Sequence, residues 1–310
     1  MDRPIRTNIK NVFWNIPVLD YSTPKNGVIK KQIKYSSTCK EEVDYITEQL
    51  KDTVCYEEHI IEHIDNPEGR IKYKDQRKIS IGTCKKDIMS YRSKKKRAFF
   101  NCFVLILRLF HENTFKEVHV KVFNTGKLEI PGIQNDNLLH KVLTLLVDEL
   151  TPFIDTDLSY LKDNSETVLI NSNFNCGYYI DRDKLHDLLK YKYRINSNFD
   201  ACSYPGIQCR FYYNTCDPDY IQTGCQPSSQ NSENDSWLKI SFMIFRTGSV
   251  LMVGKCSEAI LNKIYRFIRD ILEREYTIIG IDDFGELKER QQRVKSRKYK
   301  KRIIYIDGSS

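Results

Sequence analysis

The chain has 310 residues, of which 40% are hydrophobic and 29% charged, with a formal net charge of +8. This balance predicts a packed core and argues against a disordered chain. No apolar run approaches the roughly 18 residues of a membrane-spanning helix, so we expect no membrane association. The N-terminus lacks an apolar leader, so the ten cysteines are expected to be reduced intracellular thiols. The positive charge suits a polyanionic partner.

The first half of the chain shows strand and helix patterns in a definite order. Alternation of apolar and polar residues predicts a strand, and apolar residues three or four positions apart predict a helix. Prolines interrupt the N-terminal residues, so we expect an irregular arm there. The predicted order is the arm over 1–26, a strand over 27–36 with Ile29, Lys31, Ile33 and Tyr35 on one face, a helix over 39–52, at least two short strands within 53–98, and a buried strand over 99–110.

A ten-residue motif, Phe-x-Thr-Gly-x-x-x-x-x-Gly, then occurs at 123–132 and again at 245–254. A strand with one apolar face precedes each copy, and the Thr-Gly pair predicts a tight hairpin turn. In the first copy the alternation places His119 and Lys121 on the face of Phe123, away from the apolar core. The motif is therefore an internal repeat, which indicates two related halves.

The second half continues with similar patterns, separated by polar stretches that predict a linker and an insertion. An amphipathic helix is predicted after each hairpin. The predicted order is the first of these helices over 137–150, a linker over 155–166, a strand over 168–179, a helix over 181–191, two strands within 194–213 around the Tyr204-Pro205-Gly206 turn, a polar insertion over 214–236 expected to be a mobile loop, the second hairpin, and a helix over 257–272 capped by Ser257.

Each half is thus predicted as a strand, a helix, four strands and a final helix. Two such halves predict an antiparallel sheet with helices on one face. The predicted divisions are an N-terminal arm over 1–26, a first repeat over 27–154 with an enlarged region at 53–98, a linker over 155–166, a second repeat over 167–273 with the insertion at 214–236, and a basic C-terminal tail over 274–310.

This order, with a Phe-x-x-Gly hairpin in each half, resembles the TATA-box-binding protein family, and most of all its diverged members in large nucleocytoplasmic DNA viruses. The resemblance covers roughly residues 27–273. It implies an α+β saddle in which two pseudo-symmetric repeats form one curved antiparallel sheet. The helices then lie on the convex face, and the concave face lies on the minor groove of DNA.

The resemblance also implies which residues contact DNA. The family wedges two aromatic side chains per repeat between base steps, one from the turn between strands two and three and one from the end of strand four. In the second repeat these positions match Tyr204 and Phe245; in the first they match Phe123 and either Phe99 or Phe100. The remaining members of the predicted set are Lys121, Asn171, Asn173, Leu251 and Val253.

The chain departs from the family at several of these positions. Pro131 and Val253 stand where the family has threonines that help to read the central bases. Glu129 replaces a small apolar contact, and a carboxylate there repels phosphates and base acceptors. Of the acidic segment that the family offers to TFIIB, only Asp200 is retained. The resemblance therefore supports the saddle more strongly than it supports TATA preference.

The implied function is a transcription initiation factor that binds and bends A·T-rich promoter DNA, together with a TFIIB-like factor and a DNA-directed RNA polymerase. The implied location is the host nucleus or a cytoplasmic viral factory, with packaging in the virion left open. A second interpretation is a protein-interaction scaffold of the same fold that has lost DNA reading. The repeated phenylalanines are also compatible with ordinary hairpin packing, and the basic runs at 94–97 and 288–302 with a solvated surface or a nuclear-targeting tail.

Two patterns suggest metal chemistry only weakly. The segment His59-Ile60-Ile61-Glu62-His63 matches the inverted zincin signature, which needs a helix to bring both histidines to one face. The following Asp65-Asn66-Pro67 and the strand-like alternation argue against a helix. Four cysteines between 202 and 225 include no Cys-x-x-Cys pair, so unligated thiols are expected. We predict no metal, no cofactor and no catalytic activity.

Overall fold

The structure is a computed structural model that describes residues 9–89, 100–154, 158–161, 164–216, 221–227 and 237–281. The chain divides into two compact units. Described residues up to 161 form unit 1, and those from 164 onward form unit 2. Phe99 and both basic runs lie outside the described residues. Among the helices that the structure describes, none is long and apolar enough to cross a membrane.

Unit 1 is a six-stranded antiparallel sheet with helices, in the order β2-β3-β1-β4-β5-β6. Its elements in chain order are α1 (Ile9–Asn15), β1 (Gly27–Ser37), α2 (Lys40–Lys51), β2 (Tyr56–Asp65), β3 (Tyr73–Gly82), α3 (Lys85–Met89), β4 (Cys102–His111), β5 (Thr114–Phe123), β6 (Leu128–Glu129), α4 (Asp136–Leu150) and a 3₁₀ turn (Thr151–Phe153).

The core of unit 1 lies between the sheet and the apolar stripe of α4. The alternation in β5 buries Val118 and Val120 against this stripe, as predicted. Helix α4 begins where the sequence pattern predicts it, because the side chain of Asn135 accepts a 2.8 Å hydrogen bond from the backbone NH of Leu138. Such a cap satisfies one of the free NH groups at the start of a helix.

The prediction of an irregular N-terminal arm is wrong for part of its length. Helix α1 lies within the arm, and the side chain of Phe13 is fully buried in the core of unit 1. Lys31 holds this helix to β1: its ammonium donates hydrogen bonds to the carbonyl oxygens of Phe13, Trp14 and Ile16 at 2.8, 3.0 and 2.6 Å. These carbonyls lie at the C-terminal end of α1, where a helix leaves its acceptors unpaired.

The face predicted for β1 is interrupted near its start. The pairing of β1 with β4 shifts register between Val28 and Lys30. As a result, Ile29 packs with Ile106 and Cys84 in a small separate cluster, whereas Ile33 belongs to the main core. A β-bulge of this kind reverses the side to which the strand's residues point. The prediction that Ile29 and Ile33 share a face is therefore wrong.

Unit 2 is a five-stranded antiparallel sheet, in the order β7-β12-β11-β10-β9. A two-stranded pair, β8 with β13, accompanies it. Its elements are β7 (Ile170–Asn175), β8 (Tyr179–Ile180), α5 (Arg182–Asp187), a π-helical turn (Leu188–Lys192), β9 (Asn196–Asn198), β10 (Gly206–Asn214), β11 (Trp237–Phe245), β12 (Ser249–Gly254), α6 (Glu258–Arg274), α7 (Tyr276–Ile279) and β13 (Gly280–Ile281).

Helix α6 covers one face of this sheet. Its buried side chains, including Ile264 and Ile268, pack with Ile240, Phe242 and other inward residues of β11. The helix begins after Ser257, whose hydroxyl accepts a 3.3 Å hydrogen bond from the backbone NH of Ile260. The predicted cap is thus confirmed. The other face of the sheet points away from α6.

The polar insertion is not a free loop along its whole length. The described part at 221–227 lies against β10, because the carbonyl of Gly224 accepts a 3.2 Å hydrogen bond from the NH of Tyr212. The side chain of Gln222 adds two hydrogen bonds to the backbone of Asn214, at 2.9 and 3.0 Å. This part of the predicted mobile loop is therefore bonded to β10.

The two units share only part of their topology. Each contains a three-stranded meander followed by its main helix: β4-β5-β6 with α4, and β10-β11-β12 with α6. In unit 2 the first strand, β7, pairs with the last, β12, whereas in unit 1 the first strand, β1, lies between β3 and β4. The α+β class and the antiparallel sheets are confirmed. The predicted count of four strands between the helices is confirmed for unit 2, but unit 1 has five between α2 and α4.

Candidate nucleic-acid interface

The repeated motif forms the same hairpin turn in both units. The NH of Gly126 donates to the carbonyl of Phe123 at 2.9 Å, and the NH of Gly248 donates to the carbonyl of Phe245 at 3.0 Å. Both glycines have positive φ, +80° and +77°, a conformation that residues with a Cβ rarely adopt. The Thr-Gly pair therefore has the role that the sequence predicts for it.

In unit 2 the turn leads into an open face, defined as the side of the sheet opposite α6. Cross-strand pairing aligns its side chains in two rows that each run across all five strands, from β7 to β9. The first row is Asn173, Leu251, Met243, Gln208 and Asn198; the second is Asn171, Val253, Ser241, Arg210 and Asn196.

The chemistry of the two rows changes from centre to edge. The central side chains, on β12 and β11, are half-buried and mainly apolar, whereas the outer ones are exposed amides and one arginine. Neither row contains a carboxylate. The minor groove of DNA presents acceptor atoms at every base pair, and amide and guanidinium groups donate to such acceptors. The open face therefore combines an apolar centre with donors along its edges.

An aromatic pair lies at one end of this face. The rings of Tyr204 and Phe245 are 6.0 Å apart between centroids and tilted by 55°. Gly206, the first residue of β10, pairs with Phe245 in the sheet. A Cβ on Gly206 would lie 2.9 Å from Cε1 of Phe245, closer than real Cβ atoms approach, and 3.2 Å from Cε1 of Tyr204, which is a tight contact. A residue without a side chain is thus needed for the two rings to occupy their positions.

Asp200 builds the turn that presents Tyr204. Its carboxylate accepts hydrogen bonds from the hydroxyl of Ser203 and, at 2.9 Å, from the NH of Cys202. Its carbonyl accepts from the NH of Tyr204 at 2.9 Å. The bonds from Ser203 and then Cys202 hold the pKa of Asp200 below its ordinary value, because they favour the charged form. The one acidic residue retained in this segment is therefore a turn residue.

Unit 1 presents different chemistry at the corresponding hairpin. Lys121 and Glu129 are direct cross-strand partners, and their side chains form a 2.6 Å ion pair. Phe123 is half-buried at the end of β5. Phe100 is exposed, and its ring lies 3.8 Å from the ammonium of Lys34. In place of an apolar centre, the first repeat has an ion pair beside its phenylalanine.

The structure thus brings together most of the residues predicted for unit 2. Asn171 pairs with Val253, and Asn173 with Leu251. The alternation in β11 also places Ser241 and Met243 on the face of Phe245, although the predicted set of DNA contacts leaves them out. Sequence reasoning missed the remaining residues of the open face, which are Gln208, Arg210, Asn196 and Asn198. The signal for β10 was present, since Gln208 and Arg210 alternate with buried residues. Strand β9 has only three residues, too few for alternation to be recognised.

The zinc patterns have no structural support. His59 and His63 lie on strand β2, where they pair with Lys78 and Asp75 on either side of a register shift. Because Lys78 and Asp75 are three residues apart on β3, the two histidines point to opposite faces. Within the described residues, no group of three or more His, Cys, Asp or Glu side chains is placed to hold a metal ion.

Comparisons with known proteins agree with the resemblance. No protein-family model matches the chain. A protein of Acanthamoeba polyphaga mimivirus named TATA-box-binding protein-like is 24% identical over 209 residues, which are 63% of this chain and 54% of that protein. The chain therefore spans about half the length of this relative. A solved structure of Methanococcus jannaschii TBP matches over 81% of this chain and 98% of its own length, with a TM-score of 0.36 and 14% identity. The sequence match confirms the similarity to the diverged viral TATA-box-binding protein-like proteins that the repeated hairpin indicated.

Proposed function

We propose that the protein is a non-catalytic transcription initiation factor that binds promoter DNA in the minor groove and bends it. The observation that carries this proposal is the open face of unit 2, with its carboxylate-free rows and the Tyr204–Phe245 pair at one end. Aromatic wedges that unstack base steps bend the duplex, and a flat apolar surface then covers the widened groove. The match to the viral TATA-box-binding protein-like protein supports the same proposal.

The sequence preference proposed is for A·T-rich duplexes. Asparagine and glutamine side chains distinguish A·T from G·C pairs in the minor groove, because G·C adds an amino group there. Val253 cannot hydrogen-bond to bases, so discrimination rests on the outer amides and on the ease with which the duplex deforms. We therefore expect a preference for flexible pyrimidine–purine steps over any single consensus sequence.

A gel-shift and bending assay tests the proposal. A·T-rich and G·C-rich duplexes of equal length are titrated with wild-type protein over a series of salt concentrations. We expect tighter binding to the A·T-rich duplex, a measurable bend, and affinity that falls steeply with salt. Phe245→Ala should lose about tenfold in affinity, or ~1.4 kcal/mol. The matched control is Phe267→Ala, which removes a half-buried ring from α6 on the other side of the sheet.

The two repeats should contribute unequally to binding. Phe245 shares its face of the sheet with the apolar residues Leu251 and Val253, whereas Phe123 shares its face with the Lys121–Glu129 ion pair. Replacing Phe123 with Ala should therefore weaken duplex binding less than replacing Phe245. If both substitutions reduced the affinity for the same duplex equally, this asymmetry would be contradicted.

A protein-interaction scaffold is the second candidate function. The observation that favours it is the Lys121–Glu129 ion pair on the side of Phe123, which stands where the family resemblance implies an apolar contact with DNA. A chain that shows no duplex binding at low salt would support the scaffold. Binding without a bend that persists in Phe245→Ala would instead show that other basic residues bind DNA and that the assigned site is wrong.

The partners proposed are a TFIIB-like factor and a DNA-directed RNA polymerase, in the host nucleus or a cytoplasmic viral factory. These follow from the proposed role, because an initiation factor delivers a polymerase to the promoter. The carboxylate of Asp200 accepts hydrogen bonds within the turn before Tyr204. It is therefore less available for contact with a TFIIB-like factor. Co-purification of the polymerase with tagged protein from infected cells tests the partner proposal. If the polymerase does not co-purify, the partner proposal is contradicted.

A further inference from the structure

Strand β2 lies at the edge of the unit 1 sheet and is almost wholly exposed. It pairs with β3 on one side, and no other strand that the structure describes pairs with it. Of its ten residues, eight are exposed and two are half-buried. The exposed set includes Tyr56, Ile60 and Ile61, which are 47%, 54% and 42% exposed. An edge strand of this length presents free backbone NH and carbonyl groups, which are a template for pairing with another chain.

A register shift determines which side chains of β2 share a face. Ile60 pairs with Arg77 and Glu62 with Gln76, so Ile61 is an extra residue at this point. Adjacent residues of β3 point to opposite faces, and directly paired residues point to the same face. One face of β2 therefore carries Tyr56, Glu58, Ile60, His63 and Asp65, and the other carries Glu57, His59, Glu62 and Ile64.

With this bulge, β2 is complementary to an antiparallel copy of itself. A two-fold axis at Ile60 places that residue opposite its counterpart in the second copy. Beside the axis, His59 lies opposite Glu62 of the second copy, and Glu58 lies opposite His63 of the second copy. The outer pairs are Glu57 with Ile64 and Tyr56 with Asp65. No carboxylate lies opposite another carboxylate in this register.

Other alignments of the two copies lack this complementarity. A shift by two residues sets Glu57 opposite Glu62 in one direction, and Glu62 opposite its own counterpart in the other. A strand without the extra Ile61, centred on the same axis, would set Glu58 opposite Glu62. Like charges directly opposite each other destabilise a sheet, whereas apolar pairs and opposite charges stabilise it. A bulge and charges commonly protect an edge from other chains; here the same features match a second copy in one register.

The carboxylates of these pairs are held in place by cations of their own chain. Glu58 accepts a 2.6 Å hydrogen bond from Arg77, and Glu62 forms a 2.8 Å ion pair with Lys74. A carboxylate has about four lone-pair sites, so Glu62 can accept a further hydrogen bond. The imidazole of His59 can donate one whether it is neutral or protonated. Because the acceptors are ordered beforehand, less side-chain entropy is lost when the two strands meet.

We propose that β2 is a homodimer interface, at which two copies of the chain pair antiparallel about Ile60 and join their unit 1 sheets into one continuous sheet. The backbone groups at the two edges then satisfy each other, and the two Ile60 side chains bury each other at the axis. Histidine–glutamate pairs flank them on both faces. The interface is isologous, since both copies contribute the same residues. It uses no residue of the open face of unit 2, so it does not depend on the proposed function.

Analytical ultracentrifugation of the full-length protein over a series of concentrations tests the interface. We expect a monomer–dimer equilibrium for wild type. Ile60→Lys sets two ammonium groups opposite each other at the axis and should weaken the dimer by about tenfold or more. The matched control is Ile278→Lys, which adds the same charge at an isoleucine of α7 that is 48% exposed; it should dimerise as wild type does. Near-ultraviolet circular dichroism of both variants should match that of wild type, because both side chains are exposed.

An exchange of charges tests the register. His59→Glu sets a carboxylate opposite Glu62 of the second copy and should weaken the dimer, while Lys78, its partner on β3, favours the new carboxylate within the chain. Adding Glu62→Lys to this variant restores opposite charges and should recover the dimer. A wild type that stays monomeric at every concentration would overturn the inference, as would an Ile60→Lys variant that dimerises like wild type. A folded double variant that stays monomeric would show that residues 59 and 62 do not meet, which overturns the proposed pairing.

Discussion

At the scale of single residues, the contact between the rings of Tyr204 and Phe245 depends on Gly206. Gly206 does not have a positive φ, so its backbone conformation is open to other residues. It is required because the rings of Tyr204 and Phe245 occupy the space of a Cβ. A larger residue at this position would force one of the two rings to shift.

We predict that Gly206→Ala weakens duplex binding by about tenfold, or ~1.4 kcal/mol, because the new methyl group displaces one of the two rings. The free energy of unfolding should also fall by about 1–2 kcal/mol from overpacking. Gel-shift titration and urea unfolding measure the two effects. Tyr204→Phe is the control, since it keeps the ring, and it should bind as wild type does. A folded Gly206→Ala variant with unchanged affinity would contradict the role given to the pair.

Sequence alone identified the wedge candidates but not their surroundings. Alternation placed Phe245, Leu251 and Val253 on one face, because a strand's side chains alternate whatever its neighbours are. It could not show that Asn171 lies beside Val253, since pairing between distant strands leaves no local pattern. Nor could it show that Phe100 lies over Lys34, because that contact joins residues from two elements.

At the scale of secondary-structure elements, helix α1 depends on one buried lysine. The three carbonyl groups that Lys31 contacts would otherwise be buried acceptors without a donor, which is costly. Burial lowers the pKa of Lys31 to about 8, so the amine is still mainly charged at neutral pH. The ammonium of Lys31 also lies 5.0 Å from the centroid of the Phe13 ring. It thus joins the first helix to the sheet.

We predict a distinct pH dependence for the stability that Lys31 contributes. Its pKa is about 8 in the folded protein and near 10.4 in the unfolded chain. Between these values the unfolded state binds more protons, so stability rises with pH. Relative to Lys31→Met, the free energy of unfolding of wild type should rise by up to about 3 kcal/mol from pH 8 to pH 10.5. Chemical unfolding over this range, with Lys141→Met as the control, measures the gain; a constant difference would contradict it.

Most elements could be predicted, but their order in the sheet could not. Helices α4 and α6 appear within two residues of the predicted bounds, because their apolar periodicity and caps are local signals. Helix α1 was missed because its seven residues, which lie between two prolines, are too few to show a helical period. The place of β1 between β3 and β4 depends on which distant strands offer matching partners, and no local pattern carries that information.

At the scale of the whole molecule, each unit has a hydrophobic core of its own. The residues of the unit 1 core lie between Val12 and Leu150, and those of the unit 2 core between Ile180 and Ile279. A segment that buries its own core and completes its own sheet has the properties of a domain that folds alone.

We predict that residues 164–281 fold without the rest of the chain. The isolated segment should show a near-ultraviolet circular dichroism signal and one cooperative thermal transition, because the described residues of its sheet and core all lie within the segment. A variant with Ile264→Ala, a fully buried residue of α6, should lose about 2–5 kcal/mol of stability. A segment that lacks tertiary signal, while the full chain retains it, would contradict independent folding.

The strand order also has a consequence for synthesis on the ribosome. In unit 1 the first strand, β1, acquires a partner as soon as β3 emerges, so sheet formation follows the direction of translation. In unit 2 the first strand, β7, pairs within its sheet only with β12, the last strand. The nascent chain must therefore carry an incomplete sheet until nearly all of unit 2 has been made. Non-local pairing slows folding, and unpaired strand edges recruit other chains, so the nascent second unit is where we expect chaperones to be needed.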